Sequence, residues 1–220
     1  MRTEIQDFID QEAPSGLQLS PDGRFGAFVV TKPDGEENCY HSWLQVVDVE
    51  NGTVRKLTSG KKEKSFAWED GEQLFFVGNR EKDRKGEALL YRISVAGGEA
   101  ELCGTLPKGT RKIRCQNGIL YCLVHEHYYE KEEDYEVFDE IPFWIVNKVR
   151  DRLYRYDLKT GEARVLSPEY GQVEAFWAEN GTVFFTCNIY TGKKLPQNGL
   201  YEYVEETDTV IRHLDQGMFS

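Results

Sequence analysis

The chain has 220 residues, of which 40% are hydrophobic and 13% aromatic, enough to bury a core of domain size. Its 38 acidic residues outnumber 27 basic ones and leave a net charge of −11, which argues against a nucleic-acid partner because phosphate binding requires clustered Lys and Arg. No apolar run approaches the roughly 20 residues that a membrane span requires, so we expect no membrane partner.

The first element in the chain is an acidic segment, residues 1–14. Ile5, Phe8 and Ile9 follow i, i+3, i+4 spacing, which predicts a short amphipathic helix or an arm that packs on another surface. The segment lacks the apolar middle region of a secretory signal, so we expect a cytoplasmic protein.

From residue 15 onward one pattern recurs four times: an apolar run, an Asp-Gly or Asn-Gly turn, two further apolar runs and a closing phrase such as VRKLT or ARVLS. The turns begin at Asp22, Asp70, Asn117 and Asn180, so the first two intervals are 48 and 47 residues and the third is 63. Periods of this size are typical of repeat architectures. The extra residues of the third interval fall at 126–150, which we interpret as an insertion into one repeat.

Each repeat holds four runs that are too short for helices and rich in β-branched and aromatic residues, which predicts strands. Sixteen strands in four groups predict an all-β fold, a partial β-propeller of about four four-stranded antiparallel blades. The tryptophans at equivalent repeat positions, Trp43, Trp68 and Trp177, are predicted to pack between blades. The predicted blades span residues 15–58, 64–103, 109–167 and 171–214, the third including the insertion 126–150.

Cysteine and histidine spacing predicts no metal and no cofactor. The five cysteines include no closely spaced metal pair, and a reducing compartment favours free thiols even for Cys115 and Cys122, which flank a turn. His125 and His127 share one face of a strand, but the sequence supplies no further ligands at metal-site spacing.

Four motifs resemble the prolyl oligopeptidase family, specifically the N-terminal propeller of its acylaminoacyl peptidase and dipeptidyl aminopeptidase-like members. The most specific lies in the insertion, at residues 135–144 (YEVFDEIPFW). The others are residues 20–23 (SPDG) with the strand that follows, residues 75–80 (FFVGNR) and residues 96–100 (AGGEA). The SPDG motif also occurs in TolB-type propellers.

The resemblance implies a seven-bladed propeller joined to an α/β-hydrolase domain with a serine nucleophile in a Gly-x-Ser-x-Gly motif. The chain contains no such motif, so we predict no catalytic residue and no peptidase activity in it. Seven blades of about 47 residues would need about 330, so the chain is interpreted as four blades of a longer serine peptidase, truncated before the hydrolase domain. The alternative is a natural short protein.

The predicted role is to gate peptide access to the absent hydrolase domain, and the predicted partners are a peptide substrate, that domain, and a second copy bound through open propeller edges. The candidate substrate-facing residues lie in the insertion, where acids among aromatics could hold a peptide's ammonium group: Glu132, Glu133, Asp139, Glu140 and Trp144. Two alternatives stay open. The insertion could be a solvated loop edge, and the chain could be a free-standing TolB-like propeller that acts as a protein-interaction module.

Overall fold

A computed structural model of the chain describes residues 8–127, 149–189 and 197–216. Its strands form four four-stranded antiparallel sheets, and every sheet is built from four strands that are consecutive in the chain. The predicted fold, a partial β-propeller of four-stranded blades, is confirmed. No helix within the described ranges has the length and apolar character to cross a membrane.

The chain divides into two compact units, Met1–Leu106 with the first two blades and Pro107–Ser220 with the last two. In the first unit, blade one contains β1 (Ala13–Leu19), β2 (Phe25–Asp34), β3 (Cys39–Asp48) and β4 (Val54–Lys56), and blade two contains β5 (Ser65–Trp68), β6 (Gln73–Gly78), β7 (Ala88–Ser94) and β8 (Glu101–Leu106). In the second unit, blade three contains β9 (Thr110–Gln116), β10 (Ile119–His127), β11 (Val149–Asp157) and β12 (Ala163–Val165), and blade four contains β13 (Gly171–Glu179), β14 (Thr182–Ile189), β15 (Gln197–Val204) and β16 (Thr209–Gln216).

The two blades of the first unit share one apolar core. Strand alternation turns one face of each sheet toward the other, and the side chains on those faces are almost completely buried. Blade one contributes residues such as Leu44 and Val46, and blade two contributes Phe66, Leu74 and Phe76. The predicted arm, residues 1–14, is described from residue 8, and the Ile9 side chain lies beside Gly35.

Two hydrogen bonds attach β1, an edge strand of blade one, to blade two. The Gln18 side-chain amide donates to the Phe66 carbonyl at 3.2 Å, and the Trp68 indole N–H donates to the Gln18 carbonyl at 3.2 Å. Trp68 is therefore buried between blades, as predicted, with its one polar atom satisfied.

The SPDG motif forms a turn held by its own side chains. The Ser20 hydroxyl donates to Asp22 Oδ1 at 2.7 Å, and Arg24 Nε donates to Asp22 Oδ2 at 2.6 Å. Gly23 has a φ of +72°, the left-handed conformation that glycine adopts without steric cost. These bonds explain why the motif places Ser, Asp and Gly in this order.

The equivalent turn in blade two uses its glycine differently. Asp70 Oδ1 accepts the backbone N–H groups of Glu72 and Gln73, both at 2.7 Å, and Gly71 is not among the glycines with positive φ. A Cβ atom on Gly71 would lie 2.4 Å from Asp22 Oδ2. A side chain here would force the Asp22 carboxylate to move, so glycine at this position lets the two blades approach closely.

The second unit has its own core, formed by blade three residues such as Tyr121 and Leu153 and blade four residues such as Phe176 and Phe185. Trp177 does not follow the prediction, because half of its surface (50%) is exposed while its neighbour Phe176 is buried. The two residues alternate along β13, so only one of them faces blade three. Trp177 packs instead on Phe184 of its own sheet, with ring centroids 5.6 Å apart.

In blades one and three, the closing segment accepts the same kind of hydrogen bond from the third strand. The buried Thr58 hydroxyl accepts the backbone N–H of Leu44 at 2.9 Å, and the buried Ser167 hydroxyl accepts that of Leu153 at 3.2 Å. In each blade the fourth strand is short, and the hydroxyl that follows it accepts a hydrogen bond from a backbone N–H of the third strand. This N–H therefore has a partner beyond the end of the strand pairing.

Candidate functional site

The five predicted substrate-facing residues, Glu132, Glu133, Asp139, Glu140 and Trp144, lie outside the described residues. What the structure describes is the hairpin that carries them. Strands β10 and β11 pair in continuous register from Ile119 opposite Asp157 to His127 opposite Val149. The first two and last two residues of the predicted insertion 126–150 therefore belong to this hairpin stem, and residues 128–148 connect its two ends.

Asp151 organises one face of the stem. Its Oδ1 lies 2.7 Å from His125 Nδ1 across the strand pair and 3.7 Å from an Arg111 guanidinium nitrogen. Gln172 on β13 completes the site, because its carbonyl accepts the Asp151 backbone N–H at 2.9 Å and its amide donates to Asp151 Oδ2 at 3.3 Å. Side chains from three other strands thus converge on one half-buried carboxylate, which favours a structural role for the His125–Asp151 pair.

Glu126 organises the opposite face, since neighbouring residues of a strand point to opposite sides. It accepts a hydrogen bond from the Tyr154 hydroxyl and lies 3.7 Å from an Arg152 guanidinium nitrogen. Burial, with the adjacent Glu126 carboxylate, raises the pKa of Tyr154 to about 12. Arg152 is buried and also donates to Ser167, to the hydroxyl at 2.9 Å and to the carbonyl at 3.1 Å. Both faces of the stem are therefore held by charged hydrogen bonds.

A second cluster lies at the tip of the β2–β3 hairpin, where residues 35–38 connect the paired Asp34 and Cys39. His41 Nε2 lies 2.9 Å from Asp34 Oδ2, 3.2 Å from Glu37 Oε2 and 3.9 Å from Cys39 Sγ. The Cys39 sulfur is 3.8 Å from Glu37 Oε2. Sequence reasoning missed this group, although Cys39 and His41 at alternate strand positions next to a four-residue loop are a signal that could have revealed it.

The charges of this cluster influence one another. Backbone N–H groups, chiefly that of Glu37, and the His41 ring lower the pKa of Asp34, and the Lys61 ammonium lowers the pKa of Glu37. Desolvation, with the two carboxylates acting in the same direction, raises the pKa of the Cys39 thiol. Both acids therefore favour the ionised form and the thiol favours the protonated form.

None of the five cysteines, all of which lie in the described ranges, is joined to another by a disulfide. Cys115 lies opposite Leu120 and Cys122 opposite Ile113, so the β9–β10 register does not pair the two cysteines. Burial raises the pKa of Cys122. This thiol packs in the core of blade three rather than serving as a nucleophile.

Comparison with known proteins identifies structures that share this architecture. No protein-family model matches the chain. The β-propeller domain of the Trilobed protease from Pyrococcus furiosus, described as having an open velcro topology, matches 94% of the chain with a TM-score of 0.57 at 12% identity. The chain has the fold of a β-propeller.

An acylaminoacyl peptidase of Pyrococcus horikoshii matches 97% of the chain with a TM-score of 0.67 at 14% identity. The chain covers 34% of that enzyme and 58% of the Trilobed protease propeller domain. In sequence, it is 33% identical over 97 residues, 43% of its length, to the uncharacterized peptidase YuxL of Bacillus subtilis (strain 168), and the match spans 14% of that protein. The resemblance to a peptidase propeller, drawn from sequence motifs, is confirmed at the level of the fold.

Proposed function

We propose that the chain is the propeller portion of a serine peptidase of the prolyl oligopeptidase family, in its acylaminoacyl peptidase and dipeptidyl aminopeptidase-like branch. The observation that carries the proposal is the structural match of 97% of the chain to an acylaminoacyl peptidase. The sequence identity to a bacterial peptidase and the motif at residues 135–144 support the same assignment.

In this proposal the propeller does no chemistry. A hydrolase domain of the whole protein supplies serine, histidine and aspartate for acyl-enzyme hydrolysis, and the propeller limits access to short or unfolded peptides. The absence of a Gly-x-Ser-x-Gly motif from the 220 residues agrees with this division of labour. We assign the peptidase to the cytoplasm, where five cysteines without a disulfide are chemically stable.

The segment 128–148 is the proposed contact between propeller and peptide. Its carboxylates, among them Glu132, Glu133, Asp139 and Glu140, complement the charge of a peptide ammonium group, and Trp144 offers an apolar surface for a side chain. The hairpin stem is held by hydrogen bonds at Asp151 on one face and at Glu126 on the other. It supports this role, because a recognition segment on a rigid support loses less conformational entropy when it binds.

The assignment is tested on the native product of the gene, isolated at its natural length and treated with a fluorophosphonate probe. We expect one labelled serine in the native protein and none in the 220-residue chain alone. A native product that resists the probe under conditions that label a known serine peptidase would reject the peptidase assignment and favour an interaction module.

The role of the insertion is tested in the unlabelled native enzyme with Glu132→Gln/Glu133→Gln and Asp139→Asn/Glu140→Gln. If one pair holds the substrate ammonium, that variant loses at least about tenfold in kcat/KM for peptides with a free N-terminus and little for N-acylated peptides. Glu169→Gln, an exposed site on the same unit, is the control. Equal losses for both peptide classes would contradict ammonium recognition while leaving the peptidase assignment intact.

A further inference from the structure

We propose that the tip of the β2–β3 hairpin is a zinc site, with Glu37, Cys39 and His41 as protein ligands and Asp34 beside the fourth position. One ligand atom from each of the three residues lies within 4.8 Å of the other two. All four residues belong to one hairpin of blade one, so the site is complete within a single stretch of chain. The proposal does not depend on the peptidase assignment.

The distances fit a tetrahedral ion. Zinc bonds of about 2.3 Å to sulfur and about 2.0–2.2 Å to nitrogen and oxygen separate ligand atoms by about 3.4–3.6 Å. The observed separations are 3.9 Å for Cys39 Sγ to His41 Nε2, 3.8 Å for Cys39 Sγ to Glu37 Oε2 and 3.2 Å for His41 Nε2 to Glu37 Oε2. Shifts of a few tenths of an ångström in side chains at a surface hairpin bring the three atoms onto one ion.

Each carboxylate is already anchored by the oxygen that does not face the site. Glu37 Oε1 accepts from Lys61 Nζ at 2.8 Å, which leaves Oε2 directed toward Cys39 and His41. Asp34 Oδ1 accepts the backbone N–H groups of Glu36 and Glu37, at 3.0 and 2.9 Å, which leaves Oδ2 beside His41 Nε2. Outer hydrogen bonds of this kind orient ligands in protein metal sites and reduce the entropy lost on binding.

The donor set selects the metal. A thiolate and an imidazole disfavour Mg²⁺ and Ca²⁺, which prefer oxygen ligands, and favour zinc or a similar borderline cation. On binding, Cys39 releases its thiol proton to solvent and coordinates as the thiolate, and His41 coordinates through the lone pair of Nε2.

The first test is titration of the purified 220-residue chain with Zn²⁺ against a chromophoric chelator, and with Co²⁺ as a spectroscopic substitute. We expect one ion per chain and, with Co²⁺, the near-ultraviolet charge-transfer band of thiolate ligation. Cys39→Ser should abolish the band and weaken zinc binding by at least about tenfold. Cys103→Ser, which removes an exposed thiol on β8, is the control and should leave both unchanged.

A second measurement separates ligation from misfolding. Zinc should raise the thermal unfolding midpoint of the wild type and of Cys103→Ser but not of Cys39→Ser or His41→Asn, with all four folded by circular dichroism before metal is added. Absence of one-to-one binding by the wild type, or a thiolate band that survives Cys39→Ser, would overturn the proposal.

Discussion

Arg80 donates a hydrogen bond of 2.7 Å to Glu63, whose side chain is only 1% exposed. The guanidinium also lies over the rings of Phe76 and Tyr91, with its carbon 4.9 and 5.4 Å from their centroids. Arg80 belongs to the family-like motif FFVGNR, and in this unit it balances a buried carboxylate. The relationship explains why the motif ends in arginine, which can stack on aromatic rings and bind a carboxylate at the same time.

Replacement of Arg80 should destabilise the first unit strongly. Arg80→Met leaves the buried Glu63 carboxylate without its counter-ion, and we expect a loss of about 3 kcal/mol in the free energy of unfolding. The control Arg84→Met disrupts a half-exposed pair with Glu87 and should cost less than about 1 kcal/mol. Urea unfolding measures both, and adding Glu63→Gln to Arg80→Met should recover part of the loss. Equal costs for the two arginine variants would contradict this account.

The hydroxyl of Thr58 should contribute more to the free energy of unfolding than a methyl group in the same place. Thr58→Val keeps the shape of the side chain but removes the acceptor for the buried Leu44 N–H, at an expected cost of about 1–3 kcal/mol. Thr53→Val changes an exposed threonine in the same blade and is expected to stay within about 0.5 kcal/mol of wild type. Amide hydrogen exchange at Leu44 provides a local readout, since its protection should fall only in Thr58→Val.

The first position of the turn between β9 and β10 should require a residue that readily adopts the left-handed backbone conformation. Asn117 and Gly118 have φ angles of +51° and +76°, and they form the two-residue loop between the paired Gln116 and Ile119. These are the features of a type I′ hairpin. Asn117→Ala should lower the free energy of unfolding by about 1 kcal/mol. Alanine has a Cβ atom that is strained at positive φ, and it lacks the polar side chain by which asparagine tolerates this conformation. Asn117→Gly should be nearly neutral, so thermal unfolding midpoints that fall equally for Ala and Gly would refute the argument.

Acid should weaken the SPDG turn. Hydrogen bonds from Ser20 and then Arg24 lower the pKa of Asp22 from 3.8 to about 2. Because the folded pKa lies below the unfolded one, the stabilisation is complete above about pH 4 and is lost as pH falls toward 2. Asp22→Asn should therefore lose less stability than wild type between pH 5 and pH 2 when urea midpoints are compared. Ser20→Ala, which removes the largest cause of the shift, should make the acid-dependent loss of stability smaller and complete at a higher pH than in the wild type.

The candidate site was only partly accessible to sequence reasoning. The insertion appears in the sequence as an irregular repeat interval, and the stem that carries it follows from the apolar runs on either side. The partner of His125 could not be predicted, because Asp151 lies on the far side of the insertion and meets His125 only through the strand register. The hairpin-tip cluster was missed for another reason. Acids, a cysteine and a histidine near a loop are common on surfaces, and only their distances distinguish a ligand set.

The sequence by itself determined the number of blades, the strands in each blade, the polar turns between them and the place of the insertion. These properties depend on local alternation and on turn residues, which repeat along the chain. Only the tertiary structure decided which face of each strand is buried, how far Arg80 is from a buried acid, and that glycine serves left-handed geometry at Gly23 but close approach at Gly71. The physical reason is that burial and contact distance depend on residues of neighbouring blades and strands, which sequence proximity does not reveal.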